Sequence, residues 1–529
     1  MSIVSHAHTA ALIELSAVGS NDTLLTCDPQ KSFFHQSYSR ITNFAIAEST
    51  TFMDNAPSGG NWSEKTATAE FSSSQGDLLG PVYLNFTLTG LINHTFNAPS
   101  FFLWTPAVGY AILKNSQVKI GADSYEKCTG EYFMAHDEIS RSEGHRASKM
   151  IGDYAPYLRS YLPHAPLEIF ADPPAVNSPV GPLTPTLAAM ASSDSSAIIK
   201  GMEFSTRTHS IMAPLPHFWT KHPGNYLNLV GLQYQTLKMQ MDLRKYTDLA
   251  MKFEYAIDGS LAPQSNISVD EPNGVISGLN VLGVFMYLAP AERRLKAQVS
   301  QTVRFTYTQN ESFSTTNDNA GRTTDYALHF KNPVSRLLWT WRSQAALDRK
   351  EYFQFGSYRG TRSRIVPLGF LGGSSEASSA HEVVPESASF EFTVNNAQRV
   401  WQAPEYFLYA QPYDRAHRIP DRMVYSYAFS LHPDCEDEYS GSLNLSRVDN
   451  FVFRASMKQR VTDLTPPNVN SVYLDYSNQI GGLNTVQVSL DNSAAQVTEG
   501  STVGTYQVHA ETINFYKQSA GMCALLFPE

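Results

Sequence analysis

Residues 12–48 read LIELSAVGSNDTLLTCDPQKSFFHQSYSRITNFAIAE. A short apolar turn (Leu12, Ile13, Leu15) leads into a polar break at Gly19-Ser20-Asn21-Asp22, and a strand-like run, Thr23 to Cys27, follows. Asp28-Pro29-Gln30 then opens an aromatic, charged run that ends at Arg40-Ile41-Thr42-Asn43-Phe44-Ala45. Outward from this stretch the chain keeps alternating apolar and polar residues. Residues 82–88 (VYLNFTL), 118–120 (VKI), 299–308 (VSQTVRFTYT), 425–431 (YSYAFSL) and 485–490 (TVQVSL) all do so. A period of two marks half-buried strands. Helical periodicity is scarce: residues 137–152 (DEISRSEGHRASKMIG) are the best candidate, and 289–298 (APAERRLKAQ) are a second, with Pro290 near its start. Many strands joined by loops rich in Gly, Pro, Ser and Asn predict an all-β sandwich or barrel with short helices in the connections.

The chain has 529 residues, about twice the size at which a single core stops growing, so two or more domains are expected. Charged residues make up only 17%, against roughly 25% in an ordinary soluble protein. Such a surface implies extensive cover by partners. The aromatic share of 12% favours strands. Net charge is −10 with no basic patch or tail, which argues against direct contact with nucleic acid. The four cysteines, Cys27, Cys128, Cys435 and Cys523, lie far apart without a C-x-x-C pair, and read as buried free thiols made in a reducing cytoplasm. The start, MSIVSHAHTAALIEL, has no cationic n-region or long apolar h-region, so no signal peptide is expected. The most apolar later run, 279–289 (LNVLGVFMYLA), is far short of the ~20 residues of a spanning helix.

A faint internal echo is present. Residues 106–114 (PAVGYAILK) echo 332–339 (NPVSRLLW), and 218–224 (FWTKHPG) echo 429–434 (FSLHPD), in the same order and at similar spacing. Two copies of one β fold in tandem would produce this. The turn-rich segment 256–278 is read as the linker, giving an N-terminal segment at 1–24, a first unit at 25–255 and a second at 279–529. The polar tracts 172–197 and 356–388 lack periodicity and read as exposed loops.

No catalytic constellation emerges: H-E-x-x-H, G-x-S-x-G and the P-loop are all missing. His6 and His8 form an H-x-H pair in an end expected to be flexible, read as chance in preference to metal binding, and the run Asp434, Glu436, Asp437, Glu438 reads as a solvated loop or, more sharply, as a cation bridge between neighbouring assemblies. Arg293, Arg294 and Arg336 are assigned to interface or core salt bridges, and Glu292 with Arg293 to an ordinary charge pair. N-x-S/T sequons stand at Asn21, Asn61, Asn85, Asn93, Asn266, Asn310 and Asn444; without a signal peptide, ordinary N-glycosylation is not expected. No catalytic residue, cofactor or metal site is therefore expected, and the chain is not read as an enzyme.

The opening stretch resembles the start of the major capsid proteins of nucleocytoplasmic large double-stranded DNA viruses. The likeness continues in order at 108–131 (VGYAILKNSQVKIGADSYEKCTGE), 215–238 (LPHFWTKHPGNYLNLVGLQYQTLK), 287–298 (YLAPAERRLKAQ), 331–341 (KNPVSRLLWTW), 430–450 (ending SGSLNLSRVDN) and 518–527 (QSAGMCALLF). The resemblance implies a double jelly roll, two tandem eight-stranded antiparallel sandwiches. It also implies a late structural protein that self-assembles as a homotrimer, a pseudo-hexagonal capsomer of an icosahedral virion shell. Implied partners are neighbouring capsomers, minor capsid and penton proteins, and an internal membrane approached by the N-terminal segment at the capsomer base; assembly would occur in the host cytoplasm. The two polar tracts become candidates for outward-facing tower loops. Two rival readings are a jelly-roll carbohydrate- or receptor-binding protein and a jelly-roll glycosidase with two carboxylates in a cleft.

Overall fold

A computed structural model describes residues 4–527 except 18, 20–25, 30–31, 33, 36–37, 92–99, 142–146, 155–203, 256–260, 265–273, 320, 349, 363–378, 417, 459–471, 475–485 and 489–502. The chain divides into two compact units, Met1–Asn43 and Phe44–Glu529. Among its described residues the first carries the helix α1 (Val4–Ser16), where an apolar turn was expected. Of the strand-like run Thr23 to Cys27, Thr26 has helical backbone and residues 23–25 lie outside the described residues.

The second unit contains two sandwiches with the same connectivity. Strands β1 (Phe44–Asp54), β2 (Lys65–Phe71), β3 (Leu78–Leu88), β4 (Leu113–Ile120), β5 (Asp123–Thr129), β6 (His209–Pro214), β7 (Leu237–Leu243) and β8 (Val275–Leu288) come first. They pair in the orders β1-β8-β3-β6 and β2-β7-β4-β5, with the end of β1 crossing to β2 through Met53 and Asp54. Strands β9 (Gln301–Thr315), β10 (Thr323–Ala327), β11 (Pro333–Ser343), β12 (Ser387–Val394), β13 (Ala397–Gln402), β14 (Tyr425–Ala428), β15 (Phe451–Met457) and β16 (Gly504–Ser519) follow. Their orders, β9-β16-β11-β14 and β10-β15-β12-β13, repeat the first set strand for strand. This is a double jelly roll, eight strands in each roll.

The expected alternation produces these strands. In β3, Val82, Leu84, Phe86 and Leu88 are buried while Tyr83, Asn85 and Thr87 are half-buried. Between β12 and β13 the turn residues Asn395 and Asn396 both take positive φ, 48° and 64°, as a two-residue hairpin requires. The first core is mainly aliphatic and Met-rich, with Met239 and Met241 of β7 facing inward. The second is built round Trp339, whose ring lies 5.2–5.7 Å from those of Phe390, Phe392, Phe407, Tyr425 and Phe453.

Strand β8 corrects the expected boundary. It pairs with β1 from Phe44↔Leu288 to Phe52↔Asn280, and with β3 on its other side. The first roll therefore runs past residue 278, and the turn-rich segment 256–278 lies within it, spanning the end of the β7–β8 connection and the start of β8. The reason is topological: the last strand of a jelly roll returns to the middle of its sheet. The helix α3 (Pro290–Gln298) then leads into β9, as the sequence suggested. The second helix, α2 (Gly130–Ser140), starts at the N-cap Thr129, whose side chain accepts from the Tyr132 N–H. It overlaps the expected helix 137–152 only at its end. Of the echoes, 218–224 and 429–434 do occupy equivalent connections, after β6 and after β14. The other pair does not match, because 106–114 precedes β4 whereas 332–339 lies largely in β11.

Strand direction alternates, so the β3–β4, β5–β6 and β7–β8 connections, with their equivalents in the second roll, emerge at one end. All the longest insertions are there, including tracts 172–197 and 356–388. In the first roll, backbone pairing of Ser100–Trp104 with Ala250–Tyr255, and of that strand with Leu261–Gln264, ties two of these connections together. In the second, Ser357–Arg362 pairs with Ser379–Val384. Tract 172–197 itself lies outside the described residues.

Candidate functional site: the seam between the rolls

The edge strand β5 and the helix α2 of the first roll close against the β9-β16-β11-β14 sheet of the second. Glu126, on β5, accepts from the Thr308 N–H of β9 (3.2 Å) and the Phe218 N–H (3.1 Å). Its carboxylate also meets His217 Nδ1 at 2.8 Å, and His217 Nε2 lies 2.9 Å from Ser116 Oγ. Along α2, the Glu131 carboxylate lies between Arg244 of the first roll (3.2 Å) and Arg342 of the second (2.9 Å). Burial opposes ionisation of Glu131, but the two guanidiniums outweigh it and hold its pKa down at about 2.

At the next residue, the Tyr132 hydroxyl donates to Glu511 (3.0 Å), which also accepts from Arg336 Nε (2.9 Å). Arg336 pairs with Asp434 (2.9 Å) and donates to Ser140 at the end of α2 (2.8 Å). Lys221 lies 3.9 Å from Glu511. Burial would push the Lys221 ammonium down, yet Glu511 and Glu436 raise its pKa above the ordinary lysine value. Glu138 accepts from Arg418 (2.7 Å), and Arg422 reaches Asp153 at 2.8 Å. Rings fill the space between: Tyr125 and Phe218 pack on Phe305 and Tyr516 at 4.8–6.4 Å.

The connections after β6 and β14 meet at the opposite end from the long insertions. His222 lies 2.9 Å from Asp437, and Asn225 donates to Glu436. A cavity of about 410 Å³ opens there between Pro81, His136, Lys221, Pro433 and Glu436.

The sequence assigned Arg336 to an interface or core salt bridge; it is 1% exposed and pairs with Asp434 and Glu511. Arg293 pairs instead with Asp77 (2.9 Å). The acidic run is not simply solvated: Asp434, Glu436 and Asp437 each hold a partner across or beside the seam. Cys128 and Cys523 are buried as expected, whereas Cys27 and Cys435 are exposed; all four are free thiols. Sequence reasoning missed Glu126, Glu131, Arg244, Arg342 and Glu511, because a buried ion pair between distant residues leaves no local pattern.

Two arrangements invite a chemical reading. Glu126, Cys128 and His217 offer metal-type ligand atoms within 4.8 Å of one another. Both His217 nitrogens and both Glu126 oxygens are already engaged, and burial raises the Cys128 pKa, keeping a protonated thiol that ligates poorly. Ser116, His217 and Glu126 also follow the order of a nucleophile, base and orienting acid. Ser116 and His217 are wholly buried, and the nearby cavity is lined by neither. Both arrangements fasten β4, β5 and the chain after β6 to the second roll. Among the described residues, no helix is long and apolar enough to cross a membrane.

Two jelly rolls of identical connectivity, joined by a buried polar seam, define the double jelly-roll class. Residues 32–274 match the model for the N-terminus of major capsid protein, and residues 292–490 match that for the large eukaryotic DNA virus major capsid protein. The chain belongs to the major capsid protein family of large eukaryotic DNA viruses. Capsid protein 1 of Acanthamoeba polyphaga mimivirus is 25% identical over 338 residues, which cover 62% of this chain and 48% of that relative, about half its length. The major capsid protein of Phaeocystis pouchetii virus is 21% identical over 533 residues, covering 87% of this chain and 94% of the relative. Among solved structures, a quasi-atomic model of the PBCV-1 virus capsid superposes with a TM-score of 0.61 at 18% identity, over 94% of this chain and 100% of that one. The carbohydrate-binding alternative is not favoured by these matches.

Proposed function

We propose that this chain is the repeating unit of an icosahedral virion shell and assembles as a closed homotrimer. The observation that carries this reading is the rigid fusion of two topologically identical rolls side by side. Three such chains present six equivalent sandwiches, and a ring of them has a near-hexagonal outline that tiles a shell. The end bearing the long insertions faces outward, where loop growth costs little, since each doubling of loop length costs only ~0.6 kcal/mol. The opposite end, with the connections after β6 and β14, faces inward. The N-terminal segment 1–24 forms the capsomer base, against minor capsid or penton proteins or an internal membrane, and neighbouring capsomers meet edge to edge. Assembly takes place in the host cytoplasm, without direct nucleic-acid contact and without an enzymatic step. We divide the chain between β8 and α3, at residue 289, which falls in the gap between the two family-model matches.

Negative-stain imaging of the purified chain tests this reading, which predicts particles of near-hexagonal outline. Bilobed single molecules at every concentration would contradict it. Deleting residues 1–20 should abolish shell assembly or minor-protein binding while leaving the trimer intact; unchanged assembly and binding would remove the role given to that segment.

A further inference from the structure

The seam also buries two histidines. His136, on α2, is 7% exposed, and His509, on β16, is 1% exposed. Their rings lie 5.8 and 5.5 Å from the ring of Tyr132, whose hydroxyl ties α2 to Glu511. His509 Nδ1 lies 2.5 Å from Asn310 Oδ1 on β9. Its Nε2, like Nδ1 of His136, is buried and has no hydrogen-bond partner among the described residues. A neutral imidazole carries one N–H and tolerates one bare nitrogen. An imidazolium carries two N–H groups, and here one of them would be buried without an acceptor.

The charges around the two rings oppose a second proton as well. His136 is near Arg141 of its own helix, Lys221 of the connection after β6, and Arg336 of β11. Asp137 follows it on α2, and Asp434, Glu436 and Glu511 line the cavity that His136 also lines. Those three carboxylates are already engaged, Asp434 and Glu511 by Arg336 and Glu436 by Thr306. The charge nearest His509 is Glu131, itself held by Arg244 and Arg342. Burial first, then the three cations, holds His136 well below the ordinary histidine value. Burial brings His509 down to about 4 against a smaller upward pull from Glu131.

We propose that the seam is an acid-released latch: protonation of His136 and His509 frees α2 from the second roll while both rolls stay folded. Once the seam parts, both rings reach water and titrate as ordinary histidines, near pH 6.5. Stability of the closed seam is therefore full above pH 6.5 and is lost as pH falls from 6.5 toward the folded values. His509 alone shifts the balance toward the parted form by about thirtyfold between pH 7.5 and 5. Asp137 and Glu436 act in the other direction, because burial raises their pKa and acid relieves that burial. The histidine effect is thus the difference between wild type and variants lacking the two imidazoles. Resting on the shell reading, the consequence is a coat that is firm at neutral pH and loosens in an acidified compartment.

Hydrogen–deuterium exchange of the full-length chain at pH 7.5 and pH 5, with times scaled for the intrinsic pH dependence of exchange, tests the latch. Residues 130–140 and 506–512 should exchange at least tenfold faster at pH 5, with β12 and β15 unchanged. In the double variant His136→Gln, His509→Gln the acceleration should fall below threefold. A wild type accelerated less than threefold overturns the latch, and so does an acceleration that the variant keeps. Equal acceleration in β12 and β15 means global unfolding and overturns it too. Slow deuteration of the imidazole C2–H, followed by mass spectrometry across pH, reads each histidine in the wild type, so the proposal stays open to refutation if the variant does not fold. Both should titrate below about pH 5.5, and either one titrating near 6.5 overturns the latch. A seam that opens in acid in a chain that never trimerises supports the latch and overturns the shell reading instead.

Discussion

Glu131 shows how the seam holds together. Its carboxylate is buried between Arg244 and Arg342, one from each roll. Removing one partner of such a group strands the others without compensation, which typically costs about 3–5 kcal/mol. Glu131→Ala should therefore lower the denaturation free energy by about that much, read from the shift in denaturant midpoint. Its folded pKa of about 2 lies below the ordinary 4.5, so its contribution is present above pH 4.5 and is lost as pH falls toward 2. Glu131→Gln should flatten the acid limb of the stability profile. Glu386 has the opposite sign. Burial raises its pKa to about 6, even though it accepts from the Tyr425 hydroxyl. Its contribution is present below pH 4.5 and is lost as pH rises through 6. Glu386→Gln should thus raise Tm relative to wild type at pH 8 and give no gain at pH 4. A gain of equal size at both pH values would show that the ionisation of Glu386 is not what matters. None of these roles was legible in the sequence: Glu131 lies 113 and 211 positions from its two arginines, and Glu386 lies 39 from Tyr425. Yet the segments of family likeness carry many of them: Glu126 and Glu131 in 108–131, His217 and Lys221 in 215–238, Arg336 in 331–341, and Asp434 and Glu436 in 430–450. The resemblance marked the seam more than the cores.

Elements were legible where one face is wet. The alternation in 82–88 and 299–308 lies in β3 and β9, and Pro290 marked the start of α3. Helix α2 was misplaced because ten of its eleven residues are buried. A helix covered all round has no amphipathic stripe to read. The boundary was misplaced because turn-forming composition identifies a loop but not which strands it joins. The middle of the β5–β6 connection, beyond α2, should be dispensable for folding. Tyr154 and Phe204 flank the longest undescribed stretch, 155–203, and their rings lie 5.4 Å apart. Replacing residues 158–200 with a short Gly-Ser linker should change Tm by no more than about 4 °C, the shift expected for a change near 1 kcal/mol or less. A large drop in Tm would mean that this tract belongs to the core.

At the scale of the whole molecule, low charge content was the sequence's most useful hint of partners. Among the described residues, Ile46, Phe52, Trp401 and Tyr413 are large apolar side chains left exposed. Obligate interfaces typically bury over about 2,000 Å², so association should persist at low concentration and depend little on salt. The most direct test is the native mass of the purified full-length chain by sedimentation equilibrium from nanomolar to micromolar concentration. The account predicts a single species of three chain masses throughout most of that range. A folded monomer across the whole range would contradict it.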